Sequence, residues 1–204
     1  MRALFGLLAL ASVLTGAPMV SAAHDGGLPP VSASDRILGR ADAPVTVVEY
    51  ASFTCPHCAR WHTEVLPELK ARFIDAGKVR LVFRDLPTAP AQVAAAAAGI
   101  VRCAAPERAH AVADSLMRGQ AAALAAGDAA PWFDAAIATS GRTREQVETC
   151  LADPATLASI QASVQGANAA HVQGTPSFFV NGRRVTDSSL AGLTAAITPL
   201  LPAD

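Results

Sequence analysis

Between Val45 and Ala51 the chain reads Val-Thr-Val-Val-Glu-Tyr-Ala. A β-branched, almost continuously apolar run of this length predicts a strand buried on both faces. Glu49 is its one charged position. From Pro56 to Ala76 the apolar period changes: Ala59, Val65, Leu66, Leu69 and Phe73 recur at helical spacing, with Pro67 expected to kink the helix and Gly77 to stop it. Val79 to Phe83 then reads as a second strand. A strand, a helix and a strand with short connections make a βαβ unit, whose strands are expected to be parallel and whose crossover right-handed.

From Pro90 to about Ala170 strand signals vanish and alanine-rich helical segments follow one another. Breaks are expected near Pro106, Gly119, Gly127 to Pro131, Gly141 and Asp153-Pro154. Strand character returns at Ser177 to Val180. Asn181-Gly182 follows as a two-residue hairpin signal, then Arg183 to Val185 and a last helix from Ser188 to about Leu200. The order βαβ, helices, ββα is that of an α/β, thioredoxin-like fold with an all-helical insertion at about 90-170. Neither a solenoid repeat nor a glycine-rich phosphate loop is present.

A chain of 204 residues is long enough for one sizeable core. Its 16 Lys+Arg and 17 Asp+Glu give a net charge of -1 with no like-charge block, which argues against nucleic acid or an anionic membrane as partner. Hydrophobic residues make up 51% and aromatics only 5%, because much of the apolar content is alanine, a residue that favours helices. The beginning changes the compartment. Met1-Arg2, the apolar run Ala3 to Leu14, the breakers Gly16 and Pro18, and Val20-Ser21-Ala22 form the pattern of a secretory signal cleaved after about Ala22. The apolar run is shorter than the roughly 20 residues of a spanning helix. Residues 1-22 are therefore expected to be a signal peptide and 23-204 a single domain in an exported, oxidising space such as the periplasm, where disulfides persist.

Cys55-Pro56-His57-Cys58 falls at the junction of the first strand and the long helix. Cys55 should sit at the helix N-terminus, where unpaired backbone N–H groups and the positive end of the dipole stabilise a thiolate; His57 adds a second such influence. Such surroundings lower a thiol pKa from about 8.5 to roughly 3.5–7.5. Cys58, one turn further in, is the expected resolving thiol. Taken alone, CxxC also fits half a zinc site or an inert bridge. His62 lies one turn after Cys58, so Cys55, Cys58 and His62, with or without His57, form an alternative soft-metal set in a non-catalytic protein; the competing reading of His62 is a packing residue. Four cysteines allow three pairings, and with Cys55 and Cys58 claimed by CxxC, Cys103 and Cys150 are expected to form a structural disulfide, the alternative being a relay pair.

The stretch Ala43-Pro44-Val45-Thr46-Val47-Val48-Glu49-Tyr50-Ala51-Ser52-Phe53-Thr54-Cys55-Pro56-His57-Cys58 resembles the active-site segment of the DsbA-like family of exported thiol:disulfide oxidoreductases. Gly174-Thr175-Pro176-Ser177-Phe178-Phe179-Val180-Asn181-Gly182 resembles that family's second signature. The resemblance implies that Pro176 is cis and lies against the Cys55–Cys58 pair, that Thr175 offers backbone hydrogen bonds to a substrate peptide, and that Glu49 occupies the family's buried acidic position, a candidate for proton transfer with Cys58. Thr175 departs from the valine of the best-known oxidases toward the residue found in disulfide isomerases. The implied function is donation of the Cys55–Cys58 disulfide to reduced exported proteins, with an isomerase or reductase as alternative. No cofactor and no metal are implied, a membrane redox partner would recycle the pair, and a monomer is expected.

Overall fold

In the computed structural model, which describes residues 27–202, the apolar run is the strand Val45–Ala51, buried at every position but Thr46. The expected signal segment, residues 1-22, lies outside the described residues. The chain order is β1 (Arg36–Leu38), β2 (Val45–Ala51), α1 (Pro56–Glu64), α2 (Leu66–Leu69), a π-turn (Lys70–Ile74) and β3 (Val79–Asp85). Five helices follow: α3 (Ala91–Cys103), α4 (Ala109–Ala126), α5 (Ala130–Thr139), α6 (Arg144–Ala152) and α7 (Pro154–Ala169). The chain closes with β4 (Ser177–Val180), β5 (Arg183–Val185) and α8 (Leu190–Ile197).

The strands form one sheet in the order β1-β3-β2-β4-β5. β2 and β3 are parallel, from Val45 opposite Val79 to Ala51 opposite Asp85, and every other pairing is antiparallel. The chain is thus a thioredoxin-like α/β fold whose β3 and β4 are separated by an all-helical insertion. The hairpin between β4 and β5 turns on Asn181 (φ 45°) and Gly182 (φ 82°). Positive φ at both positions is what a type I′ turn requires. Asn181 also brackets Thr46, accepting from its N–H through Oδ1 and donating to its carbonyl, both at 2.8 Å.

Pro67 has no N–H to donate one turn back, and the expected kink appears as the change from α1 to α2 at Val65 (φ -106°). Two features depart from the sequence pattern. β1 has no periodic signal: it is three residues long and exists by pairing with β3. The break near Gly119 does not occur, since α4 runs through it. Gly119 instead admits Trp132 of α5, whose Cδ1 would lie 2.8 Å from any Cβ placed there and whose Nε1 donates to the Leu116 carbonyl at 2.9 Å.

Three apolar clusters make the core. One face of the sheet packs Val45, Val47, Leu81 and Phe178 against Trp61, Leu69 and Leu193 of the flanking helices. The other face packs Val48, Tyr50, Val82 and Phe179 against the end of α7. The third lies between the sheet and the insertion, where Phe53, Cys55, Cys58 and Phe83 meet Leu116, Met117 and Trp132. Arg84, buried, ties down the segment before β1 through the carbonyls of Pro29 and Pro30 and a pair with Asp35 at 2.9 Å.

Cys103, ending α3, and Cys150, in α6, are joined by a disulfide across 47 positions. Closing a loop of that length is worth about 4 kcal/mol in the chain-entropy account. Replacing both cysteines by alanine is expected to lower the unfolding free energy by about that amount, measured by denaturant titration, while the Cys55 thiol titrates as before.

Candidate active site

Helix α1 begins on a sulfur. Cys55 is its N-cap, in extended conformation, with Pro56 at the first helical position, where a missing N–H costs nothing. N-caps are normally serine, threonine, aspartate or asparagine, whose oxygen accepts from the first free N–H groups. Here Cys55 Sγ does so, taking the Cys58 N–H at 3.3 Å. The first turn of α1 carries no acidic residue, so no carboxylate competes for that end of the dipole.

Both cysteines are free thiols and both are buried, Cys55 at 6% exposure and Cys58 at 0%. Hydrogen bonding pulls the Cys55 thiol down to about 5: the Cys58 thiol is its strongest donor, the Thr175 hydroxyl and the backbone N–H groups of Cys58 and His57 add to it, and burial opposes them. Cys58 is pushed the other way, by burial first, then by donating to Cys55, then by the nearby charge of Glu49. One sulfur is a thiolate at neutral pH and its neighbour a firmly held thiol. That division suits a nucleophile or leaving group paired with a resolving thiol.

The Thr175–Pro176 bond is cis, and the pairing of β4 with β2 brings this loop to the sulfur: the Cys55 thiol lies 3.3 Å from the Thr175 carbonyl oxygen. His57 is exposed on the first turn, and its backbone N–H, not its imidazole, contributes to the Cys55 thiolate. Glu49 is completely buried on β2, and Nε2 of His62 lies 3.0 and 3.2 Å from its two carboxylate oxygens. His62 is therefore committed to Glu49, and among the described residues no three His, Cys, Asp or Glu side chains gather as a metal site. Cys103 and Cys150 belong to the insertion, bonded to each other.

Two participants escaped sequence reasoning. Gln120 of α4, 2% exposed, donates through Nε2 to the carbonyls of Phe53 (2.8 Å) and Cys55 (3.1 Å), tying the insertion to the loop that carries Cys55. Its signal was a polar residue on an otherwise apolar helix face, in line with Val112, Ala113, Leu116 and Met117. The second is a hydroxyl cluster: Ser52 Oγ accepts from the N–H groups of Thr54 (3.3 Å) and Thr88 (3.1 Å), and the Thr54 hydroxyl donates to the Thr88 carbonyl at 3.0 Å. It fastens the β3–α3 connection beneath the active-site loop.

Residues 32–198 match the family model described as Thioredoxin. A Rickettsia bellii protein named "Putative protein-disulfide oxidoreductase" is 30% identical over 169 residues, 82% of this chain and 64% of that protein. The chain thus spans a little under two thirds of that relative. The solved structure of Wolbachia pipientis alpha-DsbA1 shares the fold at TM-score 0.73 and 24% identity, covering 85% of this chain and 93% of that one. That of Bacillus subtilis BdbD, in oxidised form, does so at TM-score 0.71 and 20% identity, covering 85% and 96%.

The Cys55 thiolate absorbance is expected to titrate with a midpoint near 5. Thr175→Val, which removes one donor, should raise that midpoint. Because the folded pKa is depressed, the reduced protein's stability from this group is complete above the ordinary thiol pKa of about 8.5 and is lost as pH falls toward the folded value. Unfolding of reduced protein followed between those limits should show this loss, and Cys55→Ser should not.

Proposed function

This chain belongs to the thioredoxin family, on its DsbA-like branch, and we propose that it is a thiol:disulfide oxidoreductase working as an oxidase, which donates a Cys55–Cys58 disulfide to reduced proteins in an exported compartment. The observation that carries the reading is the Cys55 sulfur at the N-cap of α1, with its pKa held down to about 5. At pH 7 a gap of about two units favours the reduced form by roughly 3 kcal/mol. For a two-electron couple this is on the order of 60 mV toward a stronger oxidant.

In the forward direction a substrate thiolate attacks Cys55 Sγ and the Cys55–Cys58 bond breaks. Cys58 leaves with the electron pair and takes a proton from the buried Glu49. The substrate's second thiolate then attacks its own sulfur bound to Cys55, a substrate disulfide forms, and Cys55 leaves as the stabilised thiolate. The substrate loses two electrons, which the enzyme holds as two reduced cysteines until a membrane redox partner removes them. The cis-proline loop supports peptide binding beside the sulfur, with the backbone of Thr175 as the edge on which a substrate lies. Pro176 has no N–H and ends that edge. The signal-like residues 1-22 support export, and the Cys103–Cys150 bridge fits an oxidising compartment.

An isomerase or reductase is the second reading, favoured by one residue: the Thr175 hydroxyl stands beside Cys55 where the best-known oxidases carry valine. Trapping tests the chemistry common to both. In Cys58→Ala the mixed disulfide on Cys55 cannot be reclaimed by the enzyme, so adducts with cysteine-containing exported proteins should accumulate on non-reducing gels. Cys55→Ala should yield none. Adducts in equal amounts from both variants would show that the two sulfurs have been assigned the wrong roles.

A further inference from the structure

Glu49 is closed in by apolar surface. On β2 it stands between Phe83 of β3 and Phe178 of β4, and it has no exposed area. A carboxyl group so placed has no direct contact with water, yet the role proposed for it requires a proton to enter and leave in every cycle. Among the described residues its one side-chain hydrogen-bond partner is His62. The imidazole is wedged edge-on between Trp61 (centroids 5.3 Å apart) and Phe83 (5.8 Å).

Unlike Glu49, His62 lines a cavity of about 320 Å³ between the kinked α1–α2 segment and α4. Leu38, Leu66 and Pro67 form much of its apolar wall, and Lys70, Asp114 and Arg118 supply its charged groups. It has room for several waters. His110 lines it too, with a buried Nε2 that finds no hydrogen-bond partner. Burial pushes that imidazole down to about 4, leaving it neutral at physiological pH.

We propose that His62 is the residue through which Glu49 exchanges protons with solvent, by way of the cavity between α2 and α4. The inference rests on the reading of Glu49 as the proton partner of Cys58, and it adds the route that reading lacks. When reduced enzyme closes its disulfide, the Cys58 thiol gives its proton to the Glu49–His62 pair, the thiolate attacks the mixed disulfide at Cys55 Sγ, and the departing thiolate carries the electron pair away. The pair then releases its proton into the cavity. When the disulfide is donated, the same proton runs inward. His62 acts through Glu49 and does not touch the reacting sulfurs, so it is a positioning and relay residue.

The groups facing His62 are Glu49 from β2, Lys70 from the π-turn, His110, Asp114 and Arg118 from α4, and Cys58 on its own helix. Lys70 is paired with Asp75 at 2.6 Å and Arg118 with Asp114 at 2.8 Å, both at the surface. His110 is neutral, and Glu49 is the group within hydrogen-bond distance of the His62 imidazole.

The test is rapid mixing of the reduced protein with excess oxidised glutathione, followed by acid quench. Mass analysis then gives the rate at which the glutathione adduct on Cys55 closes to the Cys55–Cys58 disulfide, between pH 5 and 9. His62→Gln keeps a hydrogen-bonding group against Glu49 but cannot titrate. Closure should slow by about tenfold near pH 6, with a flattened pH profile. The Cys55 thiolate midpoint should stay in place, which a collapsed site would not allow. Glu49→Gln should slow closure similarly, and the double variant should be no slower than either single one, as residues on one path are not additive. Ala111→Trp, at the cavity lining and away from both residues, should slow closure as well and serves if His62→Gln fails to fold. Slowing by Glu49→Gln with no change in His62→Gln and Ala111→Trp would overturn the route and leave Glu49 its role. No change in Glu49→Gln would overturn both.

Discussion

A helix that starts at a sulfur has its first free N–H groups and the positive end of its dipole meeting at one polarisable atom, and the rest of this structure is arranged around that meeting. Cys55 caps α1, Pro56 fits the first helical position without needing a donor, and the absence of an acidic residue in the first turn leaves the thiolate as the favoured anion there. Through its pairing with β2, β4 carries the cis-proline loop to within 3.3 Å of Cys55. Cys58, one turn deeper, loses exposure entirely, and burial keeps its proton in place. The asymmetry between two chemically identical side chains three positions apart follows from where the helix begins.

The insertion completes the site. Phe53, Cys55 and Cys58 belong to the same apolar cluster as Leu116, Met117 and Trp132, so the sulfurs are shielded by helices that lie far along the chain. Gln120 sets its amide against the carbonyls of Phe53 and Cys55, the second of which also accepts the Ala59 N–H. The Cys103–Cys150 bridge fastens α3 to α6 within this block.

What the sequence reveals and what it hides divide by range. The limits of β2, the hairpin at Asn181-Gly182, the kink near Pro67 and the helical block after Pro90 rest on local backbone chemistry, and each stands where the pattern puts it. The Cys55-Pro56-His57-Cys58 motif is local too, because its chemistry depends on the turn between a strand and its following helix. β1 is hidden because three residues carry no period, and pairing with β3 alone makes them a strand. Gly119 reads as a helix breaker from its own conformational freedom, but the approach of Trp132 decides its role. His62 at one turn from Cys58 invites a metal reading. Only the fold shows that its partner is Glu49, thirteen positions upstream on a different element.

On this reading the N-terminus of α1 stabilises the reduced state of the Cys55–Cys58 pair. The most direct test is the equilibrium constant of that pair with reduced and oxidised glutathione at pH 7, read from the fraction of reduced protein by alkylation and mass. A potential above about -200 mV, well on the oxidising side of the roughly -270 mV of thioredoxin, is the predicted result. A value at or below that of thioredoxin would contradict it, since the helix would then be doing nothing to favour the thiolate over the disulfide.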